Sequence, residues 1–280
     1  MKNISYENLV DIIKESVIEI NCVPSKELLE KYELGMENED SPLSKKVLES
    51  LKENALIARD KMVPICQDTG TAVFFVEYGT EVIVDGGFIY DAIYEGVRLG
   101  YQEGFLRKSI VDNPLTRKNT GNNLPPIIHT KLVKGDSLNI VVLAKGAGSE
   151  NMSALKMMMP SDGLDGIKKF VLETVKNAGY NPCPPITVGV GVGSNFEGVA
   201  LLAKKALVKD LFATADDESI LEIEADLKKK LNELNIGPQG FGGKTSVFDV
   251  SVLMEPCHIA SMPVAININC HVIRHKKIVF

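Results

Sequence analysis

Apolar residues recur at helical spacing from the start of the chain. Leu9, Ile12, Ile13, Ser16, Val17 and Ile20 fall on one face, which predicts an amphipathic helix. Ser41-Pro42 predicts a second helix, with serine as N-cap and proline at the first helical position, running to about Arg59. The first sixty residues therefore read as helical. After Pro64 the texture changes. Ala72–Tyr78 reads as a strand, and Tyr90–Leu99 as a helix with Tyr90, Ile93, Tyr94 and Val97 inward.

Asp112–Pro126, rich in Asn, Pro and Thr, predicts a long loop, and loops of that length inside a domain are usually functional or disordered. Strands follow at Ile127–Val133 and Leu138–Ala144, then a helix at Gly163–Ala178. A strand at Ile186–Val192 ends in glycines and leads to a helix from about Gly198 to Phe212. Glu218–Leu234 predicts a charged helix that buries Leu221, Leu227, Leu231 and Leu234. Strands at Val247–Leu253 and Val264–Ile268 complete the fold. The expectation is an α/β fold of mixed sheets with surrounding helices and a helical N-terminal region. No repeat, low-complexity tract or linker interrupts it. Residues 1–280 are read as one domain, with a helical part to about 62 and an α/β part from about 63.

Composition narrows the function classes. At 280 residues and 45% hydrophobic the chain can bury a sizeable core, as one large domain or two tightly joined ones. No apolar stretch reaches the roughly 18–20 residues of a membrane span. The N-terminal stretch carries Glu7, Asp11 and Glu15 where a secretory segment would be uninterrupted, which predicts a cytoplasmic protein. A net charge of −6 supplies no basic field for nucleic acid.

Two glycine clusters invite a nucleotide reading, and spacing rejects both. After Gly189-Val-Gly-Val-Gly193 the third glycine of a dinucleotide fingerprint is missing, since Ser194 and Phe196 occupy its places. Gly243-Lys-Thr245 ends like a phosphate loop, but Pro238 stands where its first glycine belongs, and a helix precedes it instead of a strand. Gly237, Gly240, Gly242 and Gly243 still ask for an explanation. Their density predicts backbone packed closely against a ligand or another chain.

Cysteine chemistry is more informative. Cys22, Cys66, Cys183, Cys257 and Cys270 are odd in number and contain no CxxC pair. That argues against a disulfide framework and against a zinc knuckle. Cys66 lies between a predicted helix and strand, Cys183 is flanked by prolines, and Cys270 follows an apolar strand. The residues alone leave two readings open: scattered buried thiols, or ligands gathered from distant loops around a cluster with one open metal position.

The motifs CQDTG at 66–70, KGAGSEN at 145–151, PCPP at 182–185, IGPQGFGGKTS at 236–246 and HIASMPVAININCHVIRH at 258–275 resemble the signature blocks of class I fumarate hydratases and the closely similar L-tartrate dehydratases. They run in the family's order from residue 66 onward. The resemblance implies a [4Fe–4S] cluster on Cys66, Cys183 and Cys270, with Cys257 the rival to Cys270 and Cys22 an inert buried thiol. It places Gln67 and Asp68 in a substrate pocket, where a carboxylate beside an iron-bound hydroxyl can handle its proton, a role worth roughly 10²–10⁴ in rate. A plain turn at Asp68-Thr-Gly70 is the bland alternative. His258 matches a histidine that contacts substrate, though a lone histidine can also be structural. Arg107, which composition alone would leave as a solvated surface residue, matches an arginine that grips a carboxylate, a task suited to the guanidinium fork. Gly146, Ala147 and Gly148 match a backbone segment that meets substrate, with Lys145 and Asn151 close by. The family more often has glycine at Ala147. Arg274 and His275 fit the pattern without an assigned role.

The implied reaction is reversible hydration of fumarate to (S)-malate, with L-tartrate dehydration as the alternative substrate and a non-catalytic iron–sulfur sensor as the alternative class. A dicarboxylate needs more cationic donors than one arginine and one histidine supply. Single-chain relatives carry a further C-terminal region, and this chain ends at Phe280. The resemblance thus implies a separate, smaller beta subunit that completes the site, an αβ pair doubled into a heterotetramer being one such assembly. An open cluster iron further implies oxygen sensitivity.

Overall fold

The computed structural model describes residues 1–212 and 217–280. The chain forms two compact units. One comprises residues 1–25, 53–147 and 274–280, the other 26–52 and 148–273.

In the first unit, β1 (Lys2–Ser5) leads into α1 (Tyr6–Cys22), which is capped where Ser5 Oγ accepts the Asn8 N–H at 3.3 Å. Strands β2 (Thr71–Gly79), β4 (Ile127–Val133), β5 (Leu138–Lys145) and β10 (His275–Val279) make a sheet in the order β10-β5-β2-β4. In it β5 is antiparallel to both neighbours, and β2 is parallel to β4. A short ribbon pairs β1 with β3 (Val82–Asp85). Helix α4 (Ile89–Glu103) packs on α1. Leu9, Ile13 and Val17 of α1, Ile93, Val97 and Tyr101 of α4, and Phe74, Val76, Ile140 and Val142 of the sheet form the core.

The second unit holds α2 (Lys26–Asn38) and the start of α3 (Pro42–Lys61), whose last turns belong to the first unit. The cap of α3 is Ser41, its Oγ accepting the Ser44 N–H at 3.3 Å. Beyond α5 (Ala147–Glu150), β6 (Ala154–Met158), β7 (Ile186–Ser194), β8 (Val247–Cys257) and β9 (Met262–Asn269) form a sheet in the order β6-β9-β7-β8. Strand β9 is antiparallel to β6 and β7, while β7 and β8 run parallel.

The alternation of β7 explains its glycines. Val188, Val190 and Val192 share a core with Ile167, Val171 and Val175 of α6 (Gly163–Ala178) and Leu227 and Leu231 of α8 (Glu218–Asn232). Side chains at successive positions point to opposite faces. Gly189 and Gly191 therefore face α7 (Phe196–Ala206), where a Cβ would stand 2.2 Å from Ala203 O and 2.6 Å from Val199 O. These glycines serve packing, because they let a helix lie directly on the strand.

Several expectations need correction. Tyr94 and Leu221 are exposed, because α4 turns the small residues Ala92, Gly96 and Gly100 inward and α8 buries only Leu227 and Leu231. The helix expected to Phe212 ends at Ala206, with a 3-10 turn at Lys209–Leu211. Strands β1, β3, β6 and β10 escape the pattern: β1, β3 and β6 are short, and in the lysine-bearing β10 only Ile278 is buried. The Gly237–Gly243 loop packs closely on its own chain. A Cβ at Gly237 would meet Gly242 O at 1.8 Å, and one at Gly243 would meet Glu39 Oε2 at 2.5 Å.

Candidate functional site

The Cys66–Gly70 loop of the first unit follows α3, which stops where Met62 turns to φ 49° just before Pro64. Both backbone groups of Ile65 are held: its N–H by Asn21 O at 2.9 Å, its carbonyl by Asn54 Nδ2 at 2.9 Å. Cys66 is half-buried, and its Sγ accepts the Asp68 N–H at 3.4 Å. The Asp68 carboxylate is oriented at both oxygens. Oδ1 accepts the Gly70 N–H at 3.0 Å, and Oδ2 accepts the Ala147 N–H at 2.8 Å.

Behind the loop, the Tyr101 hydroxyl bridges the carbonyls of Thr69 at 2.9 Å and Gly70 at 2.8 Å. Burial pushes that phenol well above its ordinary range, so it stays a donor. Asn123 Nδ2 donates to Gly70 O at 3.2 Å, and Thr69 Oγ1 donates to Arg107 O at 2.8 Å. The last bond brings the exposed Arg107 beside the loop. Gly70 has φ 72°, and a Cβ there would stand 2.6 Å from the Lys145 carbonyl, so only glycine lets the CQDTG and KGAG segments touch.

In the second unit, Cys183 sits at φ 55° in an exposed turn before β7. Its N–H donates to Tyr180 O at 3.0 Å, and its carbonyl accepts the His271 N–H at 3.1 Å. Thus Cys183 and Cys270, which precedes His271, come to one end of the sheet, where Thr187 pairs with Asn269. Gln239 of the glycine loop donates to Pro184 O from its N–H at 2.7 Å and from Nε2 at 2.8 Å. A Cβ on Gly148 would lie 3.8 Å from Asn181 O, which places the end of the KGAG segment beside PCPP.

Cys270 is half-buried, and Asn269 Nδ2 donates to the carbonyls of Cys270 at 3.1 Å and Val272 at 3.2 Å. Next to it, Tyr32 Oη lies 2.8 Å from His271 Nδ1. Burial, reinforced by Cys270, raises the Tyr32 phenol far above its usual range. Tyr32 therefore keeps its proton and shares a hydrogen bond with Nδ1, its direction set by the imidazole tautomer. Tyr32→Phe should lower the stability of the metal-free chain by about 1–3 kcal/mol through the lost buried bond, measured by urea unfolding. An unchanged midpoint would refute the assigned bond.

His258 and Cys257 lie elsewhere. Cys257 pairs with Ser194 at the far end of β7, eight residues along the strand from Ile186. At ~3.3 Å per residue that end is roughly 26 Å from the Cys183 end. His258 is exposed there, its Nδ1 accepting the Ala260 N–H at 3.1 Å. Cys22 is fully buried in α1, and burial raises its thiol. The structure thus assembles Cys66, Gln67, Asp68, Arg107, Gly146 and Ala147 in one unit, gathers Cys183, Cys270 and Gly148 in the other, and leaves His258 apart. The Ala147 N–H is committed to Asp68.

Sequence reasoning missed Asn21, Tyr101, Asn123, Tyr32 and Gln239. Asn21, Tyr101, Asn123 and Tyr32 are single polar residues outside the signature blocks that only the fold brings to one, while Gln239 lies inside the 236–246 block but nothing local aims it at Pro184. Among the described residues no group of three or more His, Cys, Asp or Glu side chains is arranged to hold a metal ion, and no helix is long and apolar enough to cross a membrane. The donor chemistry nonetheless suits an iron–sulfur group. None of the five cysteines forms a disulfide. Cys66, Cys183 and Cys270 lie on loops or in turns, and Cys66 already accepts an N–H of the kind that tunes cluster sulfurs.

The family model described as fumarate hydratase (Fumerase) matches residues 10–279. The protein named "Putative L(+)-tartrate dehydratase subunit alpha" of Methanocaldococcus jannaschii is 40% identical over 268 residues, covering 94% of this chain and 92% of that protein. The L(+)-tartrate dehydratase subunit alpha of Escherichia coli strain UTI89 is 30% identical over 272 residues, covering 96% of this chain and 89% of its own length.

Proposed function

This chain belongs to the fumarate hydratase (Fumerase) family and is a hydro-lyase, and from that premise we propose that it is the cluster-carrying alpha subunit of an enzyme that reversibly hydrates fumarate to (S)-malate. The observation that carries this reading is Asp68: two residues after a half-buried thiol, both its carboxylate oxygens are held by backbone N–H groups of glycine-rich turns. Such fixing suits a group that moves a proton at a defined substrate carbon.

Cys66, Cys183 and Cys270 would hold a [4Fe–4S] cluster, which supplies a Lewis-acid iron for the substrate hydroxyl. Arg107 would grip one substrate carboxylate with its guanidinium fork. Gln67 and the Gly146–Gly148 segment would line the pocket, the Ala147 N–H acting indirectly by aiming Asp68. His258, at the far end of its sheet, would contact substrate in a site to which further residues are brought. A smaller beta subunit is the partner proposed, since both relatives are named as alpha subunits. Five thiols outside disulfides suit the reducing cytoplasm.

The names of those relatives favour a second reading, dehydration of L-tartrate. Anaerobic reconstitution with iron and sulfide, alone and with the beta subunit, should give turnover of fumarate and malate only for the pair. Turnover confined to L-tartrate would replace the first reading with the second. No turnover of any of them by the intact, cluster-loaded pair would end both and favour a sensor.

A further inference from the structure

We propose that Arg274 is a positioning residue for Asp68, acting through the backbone and not by touching substrate. The inference rests on the reading of Asp68 as the proton-handling carboxylate. Arg274 begins the last segment of the first unit and is only 3% exposed. Its Nη1 donates to Asp68 O at 2.8 Å and to Asn21 Oδ1 at 3.0 Å. Asn21 is itself fully buried in α1, where its Nδ2 bonds Val17 O at 2.9 Å and its carbonyl takes the Ile65 N–H. One guanidinium therefore ties the loop that carries Cys66 and Asp68 to a rigid helix.

Two further facts argue that position, not stability, is what this arginine provides. Its Nε is buried with no protein partner, and a buried cation that leaves a donor unsatisfied is a poor way to stabilise a core. Its Nη2 also lies on the catalytic side. A Cβ placed on Gly146 would stand 3.2 Å from Asp68 Oδ2 and 3.5 Å from Arg274 Nη2. The carboxylate and the guanidinium thus flank the same glycine, whose neighbour Ala147 holds Oδ2. Arg274 fixes the main chain of Asp68, Gly70 and Ala147 fix its carboxylate, and the three together set where the proton is exchanged.

The test is a double-mutant cycle on the reconstituted pair. Arg274→Lys keeps the charge, but its shorter side chain cannot set a nitrogen where Nη1 stands to bond both Asp68 O and Asn21 Oδ1. It should keep its iron content and lower kcat about 10- to 100-fold, as misplacement by about an ångström does, with KM changed by less than about threefold. In an Asp68→Asn background the same change should lower kcat by no more than about twofold, because residues acting as one unit are non-additive. Asn21→Ala, which frees the guanidinium from α1, should show a smaller loss with the same dependence on Asp68. An unchanged kcat in Arg274→Lys overturns the proposal. So does a loss that persists in full without Asp68, or loss of iron in both Arg274→Lys and Asn21→Ala. Full activity of Asp68→Asn by itself would instead remove the reading of Asp68, and is seen ahead of any comparison of Arg274 variants.

Discussion

Alanine at Cys66, Cys183 or Cys270 should each remove bound iron and visible absorbance and abolish turnover, while alanine at Cys22 or Cys257 should leave about four irons per chain, the full complement of a cubane cluster. The expectation differs for each thiol on physical grounds. Cys22 is fully buried at the end of α1, within the core of the first unit, with its thiol raised by burial, so it is a poor ligand. Cys257 is exposed but stands at the Ser194 end of β7. Cys183 and Cys270 share the other end, joined by the His271-to-Cys183 backbone bond. A cluster that needs Cys257 and not Cys270 would overturn the assignment. Iron, sulfide and absorbance measured on the anaerobically reconstituted chain decide it without any assay of activity.

Asp68→Asn should lower kcat by roughly 10²–10⁴, the range of a lost general acid or base, with iron content unchanged and KM little affected. Asparagine preserves the size of the side chain and can still accept one of the two N–H bonds at Oδ1. Its amide nitrogen, however, cannot accept the second bond and cannot exchange a proton near neutrality. The loop itself should hold, because Tyr101, Asn123 and Asn21 grip its backbone independently of the carboxylate. A variant that turns over at the parent rate would show that Asp68 merely makes a turn.

Much of this site is legible in the amino-acid sequence. CQDTG places a thiol and a carboxylate two residues apart in a loop, and the hydrophobic pattern puts that loop between a helix and a strand. The same pattern bounds α6 at Gly163–Ala178 and β4 at Ile127–Val133, as the fold has them. It fails at β10, an edge strand with one buried residue, and at Tyr94, where helical spacing alone cannot show that glycines and alanines face the partner helix. Glycine clusters mislead in a different way. Their density reports close packing correctly, but Gly237 and Gly243 pack against their own chain, a fact no spacing rule contains.

The linear pattern already carries the longer helices and the central strands, the thiols and the order of the motifs, because period, caps and loop residues act over a few neighbours. Only the tertiary structure separated Cys270 from Cys257, since strand register sends them to opposite ends of one sheet. It likewise made Arg274 and Asn21 partners across 253 positions of chain. Buried polar groups must find hydrogen bonds wherever the fold offers them. That demand is met by geometry, and a linear pattern does not record it.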